Sequence, residues 1–163
     1  MVRESLEKIR SQADVIVVSQ ASADALAREW QEHKLDRLVN FIAGQEAGTK
    51  SEQIRLAANN RYAPKKVLMI GDAPGDLKAA NDNQALFYPI LPGREEQSWR
   101  RFFEEGSERF FNGTFTGGFQ QELLEEFNAA LPEKAPWQSQ SISEDTKINS
   151  GKSTTATSGQ KQR

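Results

Sequence analysis

Four short runs of consecutive apolar residues alternate with segments of helical periodicity, and this alternation constrains the fold more than any other feature. The runs lie at 14–19, 38–43, 66–71 and 85–91, with helical segments at about 22–34, 50–61 and 74–82. Such alternation is typical of βαβ units around a parallel sheet. Because the runs are continuously apolar, both faces of each strand should be covered by helices. We therefore predict a three-layer α/β sandwich, completed by helices at about 94–109 and 117–130.

Composition sets the domain organisation and the partner classes. From about Glu133 the sequence becomes rich in Ser, Thr, Gln and Lys, so we predict a domain at 1–132 and a disordered tail at 133–163. A net charge of −2 argues against nucleic acid or an anionic membrane as the partner. The chain has no cysteine and no apolar run of ~18 residues. No signal peptide is recognisable at Met1, and we expect a cytoplasmic protein.

Two carboxylates follow the third apolar run, in "VLMIGDAPGDLKAA" (67–80). Asp72 and Asp76 could bind a hard cation such as Mg²⁺, which prefers carboxylate oxygens. Alternatively, Asp72 caps the next helix and Asp76 lies in its first turn, where the helix dipole favours negative charge. Pro74, near the first helical position, fits this second interpretation. The turn alone leaves both open.

Lys50 is placed where a cation is unfavourable. In "GTKSEQI" (48–54), Thr49 and Glu52 have the spacing of a capping box, which puts Lys50 at the first helical position. A cation there opposes the helix dipole, and a nearby anion would explain it. The free N–H groups of the helix start suit a phosphate. The alternative is a solvated lysine that points away.

Ser19 ends the first run, in "VIVVS" (15–19). Its hydroxyl could donate to a phosphate oxygen, and the following loop amides, beginning with Gln20, could add to it. Serine at such a junction is also a common turn residue, and Ser22 is the better candidate for the helix N-cap.

The order of these parts resembles the haloacid dehalogenase-like (HAD) hydrolase superfamily, in its phosphatase branch. "VIVVS" looks like the second motif of that family, "GTKSEQI" the third and "VLMIGDAPGDLKAA" the fourth, over roughly residues 1–92. The resemblance implies a Rossmann-like parallel sheet and Mg²⁺-dependent hydrolysis of a small phosphorylated metabolite. Ser19 and Gln20 would bind phosphate, Lys50 would neutralise its charge, and Asp72 would ligate Mg²⁺. Asp76 would assist catalysis, directly at the metal or through water.

One family motif is missing. Members attack phosphate with an aspartate from an Asp-x-Asp motif on a central strand, and this sequence contains no Asp-x-Asp pair. The resemblance thus implies a core without the nucleophile strand and without a cap domain, as in an N-terminally truncated enzyme that is inactive alone. Either the strands at 14–19 and 66–71 pair directly, or two apolar strand edges stay open to a complementing chain or to self-association.

Two other functions compete with a phosphatase. The chain could be a non-catalytic remnant or interaction module that retains a phosphate-binding fold. A phospho-receiver domain is disfavoured, because its acidic residues would precede the serine and lysine. The aromatic segment "SWRRFFEEGSERFFNGTF" (98–115) favours core packing, with a partner groove as the alternative.

Overall fold

The computed structural model describes residues 1–59 and 61–131, and shows a mixed α/β protein. Residues 1–131 group into one compact unit. The predicted disordered tail at 133–163 lies outside the described residues. The α-helices found in the described part are α1 (Val2–Ile9), α2 (Ala23–Glu32), α3 (Lys50–Ala58), α4 (Pro74–Asp82), α5 (Glu95–Arg101), α6 (Ser107–Asn112) and α7 (Gly118–Ala130). Single 3₁₀ turns lie at Asp36–Leu38, Gln45–Ala47 and Pro64–Lys66.

The strands occur where the apolar runs predicted them but are shorter. They are β1 (Ile16–Val18), β2 (Phe41–Ala43), β3 (Leu68–Gly71) and β4 (Leu86–Pro89). Within the described residues they form two separate parallel sheets, β1 with β2 and β3 with β4. A strand extends only as far as it finds a ladder partner, and β1 and β3 each have one partner instead of two. Of the two predicted arrangements, the structure adopts the one with unpaired edges.

The two faces of β3 and β4 pack against different hydrophobic clusters. Leu86 and Tyr88 belong to one cluster, which also contains Leu6 of α1 and Phe102. Phe87 of the same strand belongs to the other cluster, with side chains of α3, α4 and α7. All four residues of β4 are buried. The prediction that helices cover both faces therefore holds for β4.

Helix α7 packs against β4 with residues from both clusters. Phe119 and Leu123 belong to the first cluster and Phe127 belongs to the second. The Phe127 ring meets the Phe87 ring edge-on, with centroids 5.4 Å apart. A helix whose side chains reach both faces of a strand lies along that strand's outer edge. Helix α7 therefore covers the free side of β4.

The aromatic segment forms core, as the leading interpretation predicted. Phe102 is 2% exposed, and its ring meets the rings of Tyr88 and Trp99 edge-on. The predicted helix at 94–109 is a continuous helical stretch from Glu95 to Asn112 that contains a π-helical segment at Phe102–Gly106. It ends at Gly113, which has a positive φ of 72°, where glycine avoids steric strain.

Within residues 1–59 and 61–131, no helix combines the length and apolar character that a bilayer crossing requires.

Candidate functional site

The candidate site residues converge at the carboxyl ends of the strands. Helix α3 connects them: its Gln53 amide reaches the carbonyl of Ser19 at 3.4 Å, and its Lys50 amine reaches a carboxylate oxygen of Asp76. Ser19 follows β1, and Asp76 belongs to the helix that follows β3. Residues from three separate segments therefore share one rim, as expected for parallel strands whose loops meet at their carboxyl ends.

The start of α3 forms the capping box that the sequence predicted. The Glu52 N–H donates to Thr49 Oγ1 at 3.2 Å, and the Thr49 N–H donates to Glu52 Oε2 at 2.8 Å. The bonds that the Thr49 N–H and the Thr49 hydroxyl donate to the ionised carboxylate lower the pKa of Glu52. The N–H groups of Lys50 and Ser51 donate to no acceptor among the described residues. Two amide donors are thus left at this helix start.

Asp76 is buried and its carboxylate is fully engaged. One oxygen, Oδ1, accepts from the Lys50 amine. The other, Oδ2, accepts from the backbone N–H groups of Asp72 and Ala73, both at 3.1 Å. The side chain is 2% exposed. Asp76 therefore caps the start of α4 and neutralises Lys50, and the anion that the position of Lys50 predicted is supplied by the chain itself.

Gly71 makes the burial of Asp76 possible. A Cβ atom at residue 71 would lie 2.4 Å from Asp76 Oδ2 and 2.5 Å from its Cβ, so any larger residue would displace the carboxylate. Gly75, where the HAD family often has asparagine, has open space around its Cα and lies in the first turn of α4. The turn geometry is therefore helical at Gly75, and the close contact is at Gly71.

Asp72 differs from Asp76 in its exposure, in its hydrogen bonding and in its role at the start of α4. Its side chain is exposed and makes no hydrogen bond or ion pair with another described residue. The N-cap of α4 is Ala73, so Asp72 does not cap this helix. Its carboxylate is therefore the one at this rim that is free to bind a cation.

Ser19 and Gln20 lie at the same rim. Each makes hydrogen bonds with only some of its polar groups. The Ser19 N–H donates to the Ala43 carbonyl at 3.0 Å, and its Oγ accepts from the Ala21 N–H at 3.2 Å. The Gln20 side chain donates to the Gly48 carbonyl at 3.2 Å. The Ser19 hydroxyl hydrogen has no acceptor among the described residues and remains available to a ligand.

Gln53 organises the rim and was missed by the sequence analysis. Its Nε2 donates to the carbonyls of Gly44 at 2.7 Å and Gly48 at 3.0 Å, besides that of Ser19. The residue is 3% exposed, and its Oε1 is buried without a partner in the described part of the chain. The available signal was its place beside Ile54, on the buried side of a helix whose Glu52 and Arg55 are exposed.

Asp72 offers one carboxylate at this rim that could ligate Mg²⁺ directly. Mg²⁺ is often bound through one or two carboxylates, with water and substrate phosphate as the other ligands. Direct ligation by Asp76 would require breaking its pair with Lys50. In the described part of the chain, no group of three or more His, Cys, Asp or Glu side chains could hold a metal.

No family model, curated protein or solved structure matches this chain.

Proposed function

We propose that this chain is the phosphate-binding and metal-binding part of a HAD-like, Mg²⁺-dependent phosphomonoester phosphatase of the cytoplasm, and that it has no turnover by itself. The proposed architecture is a three-layer sandwich that lacks the central nucleophile strand and the cap. The observation that carries the proposal is the Lys50–Asp76 pair, which joins the starts of α3 and α4 at the rim that holds Ser19. The pair joins two of the three segments that resemble HAD motifs, and Gln53 of the same helix links the third through its hydrogen bond to the Ser19 carbonyl.

The phosphate would be held by donors that have no partner in the described structure. These are the Ser19 hydroxyl and the N–H groups of Lys50 and Ser51 at the start of α3. A helix start favours an anion because its N–H groups and its dipole both point toward it. The Lys50 side chain is 28% exposed, so its ammonium group can reach a bound dianion while it stays paired with Asp76.

Asp72 would hold the metal. When bound, Mg²⁺ supplies charge neutralisation on the phosphoryl oxygens. Asp76 has a positioning role in this scheme: it fixes the Lys50 amine and the backbone of Asp72. Phosphoryl transfer depends mainly on such positioning and on electrostatic stabilisation.

The proposal of no turnover follows from the carboxylates. A HAD-like reaction needs a free carboxylate to attack phosphorus. At this rim, Asp76 is occupied by three donors and Asp72 is assigned to the metal. An attacking group would have to come from outside the described residues.

Titration of the ¹⁵N-labelled chain with inorganic phosphate and MgCl₂, followed by amide NMR, tests the binding. Phosphate should shift the amides of 19–21 and 48–51, and Mg²⁺ should shift those of 72 and 73. Ser19→Ala should weaken phosphate binding, and Asp72→Asn should abolish the Mg²⁺ shift. Their matched controls are Ser11→Ala and Asp36→Asn, exposed residues that precede β1 and β2 at the opposite ends of the strands.

Hydrolysis of p-nitrophenyl phosphate with Mg²⁺ tests the rest of the proposal. We expect no turnover by the 163-residue chain. Turnover that is lost in Asp76→Asn would mean that the chain carries its own nucleophile. Binding shifts that are equal in the Ser19→Ala and Ser11→Ala variants would refute the phosphate site.

A second candidate is an interaction module that binds phosphate without catalysis. The full engagement of Asp76 favours it, because no metal or attack role is then needed from that residue. In this case phosphate should bind equally well with and without Mg²⁺, and Asp72→Asn should have no effect.

A further inference from the structure

A cavity of about 190 Å³ lies at the carboxyl end of β4, between helices α5 and α7. Tyr88 and Pro89 of β4 line it, together with residues of both helices. In parallel α/β sheets, ligands bind outside the carboxyl ends of the strands, so the cavity has the position of a binding site. It shares no residue with the phosphate and metal site proposed above.

The floor of this cavity is apolar. Leu91 and Leu123 are 7% and 3% exposed, and Pro89 is fully buried. Tyr88 also lines the cavity, but its hydroxyl group is already used, because it donates to the Ser98 carbonyl at 2.7 Å. The floor therefore offers a ligand contact with apolar side chains and no free polar group.

Arg94, at the mouth of the cavity, has a fixed backbone and a free side chain. Its N–H donates to the Leu91 carbonyl at 2.9 Å, and its carbonyl accepts from the Ser98 hydroxyl at 2.9 Å. The residue is exposed and lines the cavity, and its guanidinium group makes no hydrogen bond or ion pair within residues 1–59 and 61–131. Arg94 is thus a positioned cation without a counter-ion in this part of the chain.

The other arginine of the lining is not available to a ligand. Arg101 Nη1 donates to Glu126 at 2.9 Å, and its Nη2 donates to Glu122 at 2.8 Å. Glu126, the one carboxylate of the lining, is therefore held by Arg101. Among the lining residues, Arg94 remains the one charge without a partner. A ligand with a single negative charge complements it.

The volume of the cavity limits the size of that ligand. A water molecule occupies about 30 Å³ of the liquid, so the space corresponds to roughly six water molecules. This is enough for one carboxylate and a short aliphatic body. A carboxylate suits Arg94 because its two oxygens accept two parallel N–H bonds from a guanidinium group.

We propose that this cavity is a second ligand site of the protein, which binds a small aliphatic monocarboxylate. The carboxylate pairs with the Arg94 guanidinium group at the mouth, and the aliphatic body contacts Leu91 and Leu123 on the floor. Burial of that body against apolar side chains adds affinity that a bare anion lacks. The proposal does not depend on the phosphate site, so the two can fail separately.

Titration of the full chain with 3-methylbutanoate, followed by NMR of labelled amides and methyl groups, tests the site. The probe should shift the amides of Arg94 and Gln97 and the methyl groups of Leu91 and Leu123. Nuclear Overhauser effects should connect the methyl groups of the probe with those of the two leucines. The melting temperature should rise with probe concentration, because the ligand binds the folded chain.

Substitutions at Arg94 test the charge. Arg94→Gln should weaken the binding of 3-methylbutanoate about tenfold or more, because it removes the charged hydrogen-bond donors. The matched control is Arg100→Gln, which removes an exposed arginine of α5 that does not line the cavity. Arg94→Glu should invert the preference, so that 3-methylbutylammonium binds and 3-methylbutanoate does not. Both positions are exposed, so the variants should melt at the same temperature as the parent chain without the probe.

Three results would overturn the proposal. The first is the absence of shifts at Leu91, Arg94, Gln97 and Leu123 when the probe is added. The second is equal binding by the Arg94→Gln and Arg100→Gln variants. The third is an equal response of these residues to acetate or to inorganic phosphate, since the protein would then attract any anion to this surface without using the apolar floor.

Discussion

Lys50 of α3 and Asp76 of α4 form an ion pair in which the carboxylate is buried and the amine is partly exposed. The two residues are 26 positions apart, and each lies in the first turn of its helix. Asp76 also receives two backbone N–H groups of its own turn. A single carboxylate thus fixes the turn after β3 and the start of α3 relative to each other.

Lys50→Met should destabilise the protein by about 2–4 kcal/mol, because it leaves a buried carboxylate without its counter-charge. Urea unfolding followed by circular dichroism measures this loss. The matched control is Lys78→Met, since Lys78 pairs with Asp82 on the exposed side of α4 at 2.7 Å. That surface pair should contribute less than about 1 kcal/mol. Equal losses in the two variants would contradict the buried role of Lys50–Asp76.

Gly71→Ala and Gly75→Ala should have opposite effects, although they change the same turn. The first places a methyl group against the Asp76 carboxylate and should cost about 1–3 kcal/mol or more through overpacking. The second adds a methyl group in open space within a helical turn and should be neutral or stabilising by up to about 1 kcal/mol. Thermal unfolding of both variants makes the comparison. A stable Gly71→Ala protein would mean that Asp76 is held differently.

Tyr88→Phe should cost about 1–2 kcal/mol, because the Tyr88 hydroxyl donates to the buried Ser98 carbonyl. That bond is 2.7 Å long. Burial raises the pKa of Tyr88 above its usual value of 10.0. The unfolded chain therefore ionises first, and the stability from neutral Tyr88 is complete below pH 10 and falls as the pH rises further.

Alkaline titration of the phenolate absorbance checks the state of Tyr88. Tyr88 and Tyr62 are the two tyrosines of the sequence. In Tyr62→Phe, the single remaining absorbance step should coincide with unfolding measured by circular dichroism. A phenolate step that precedes unfolding in this variant would contradict the burial of Tyr88.

Glu52→Gln should lower stability at neutral pH and have a vanishing effect in acid. The hydrogen bonds from Thr49 lower the pKa of Glu52 below its usual 4.5. The carboxylate therefore contributes stability that is present above pH 4.5 and is lost as the pH falls through the native pKa. Denaturant midpoints of both proteins between pH 3 and pH 7 should converge in acid. In a Thr49→Ala background the same substitution should have a smaller effect, since the bonding partner is weakened.

The local parts of the structure could be predicted from the sequence. Ser22 caps α2, accepting from the Ala25 N–H at 3.4 Å, and Thr49 begins the capping box of α3 as expected. These features depend on a few consecutive residues, so the sequence spacing specifies them. The apolar runs also located each of the four strands in the described residues, because continuous apolar segments require burial on both faces.

The features that were not predicted depend on residues far apart in the chain. The sequence predicted an anion near Lys50 without identifying it, and the structure supplies Asp76. The sequence left metal binding and helix capping open for Asp72 and Asp76, whereas burial separates them into an exposed carboxylate and a structural one. Gln53 was overlooked because a polar residue on a helix gives no sign of the three carbonyls that surround it in space.

The position of α7 limits how copies of this protein can assemble. Phe119, Leu123 and Phe127 hold the helix along the outer side of β4, so no foreign strand can extend the sheet there. A fibril-like polymer needs two opposite unpaired strand edges on every subunit, so that the sheet can extend in both directions. With the outer side of β4 covered by helix α7, the protein cannot become a link in an endless β-sheet through β4.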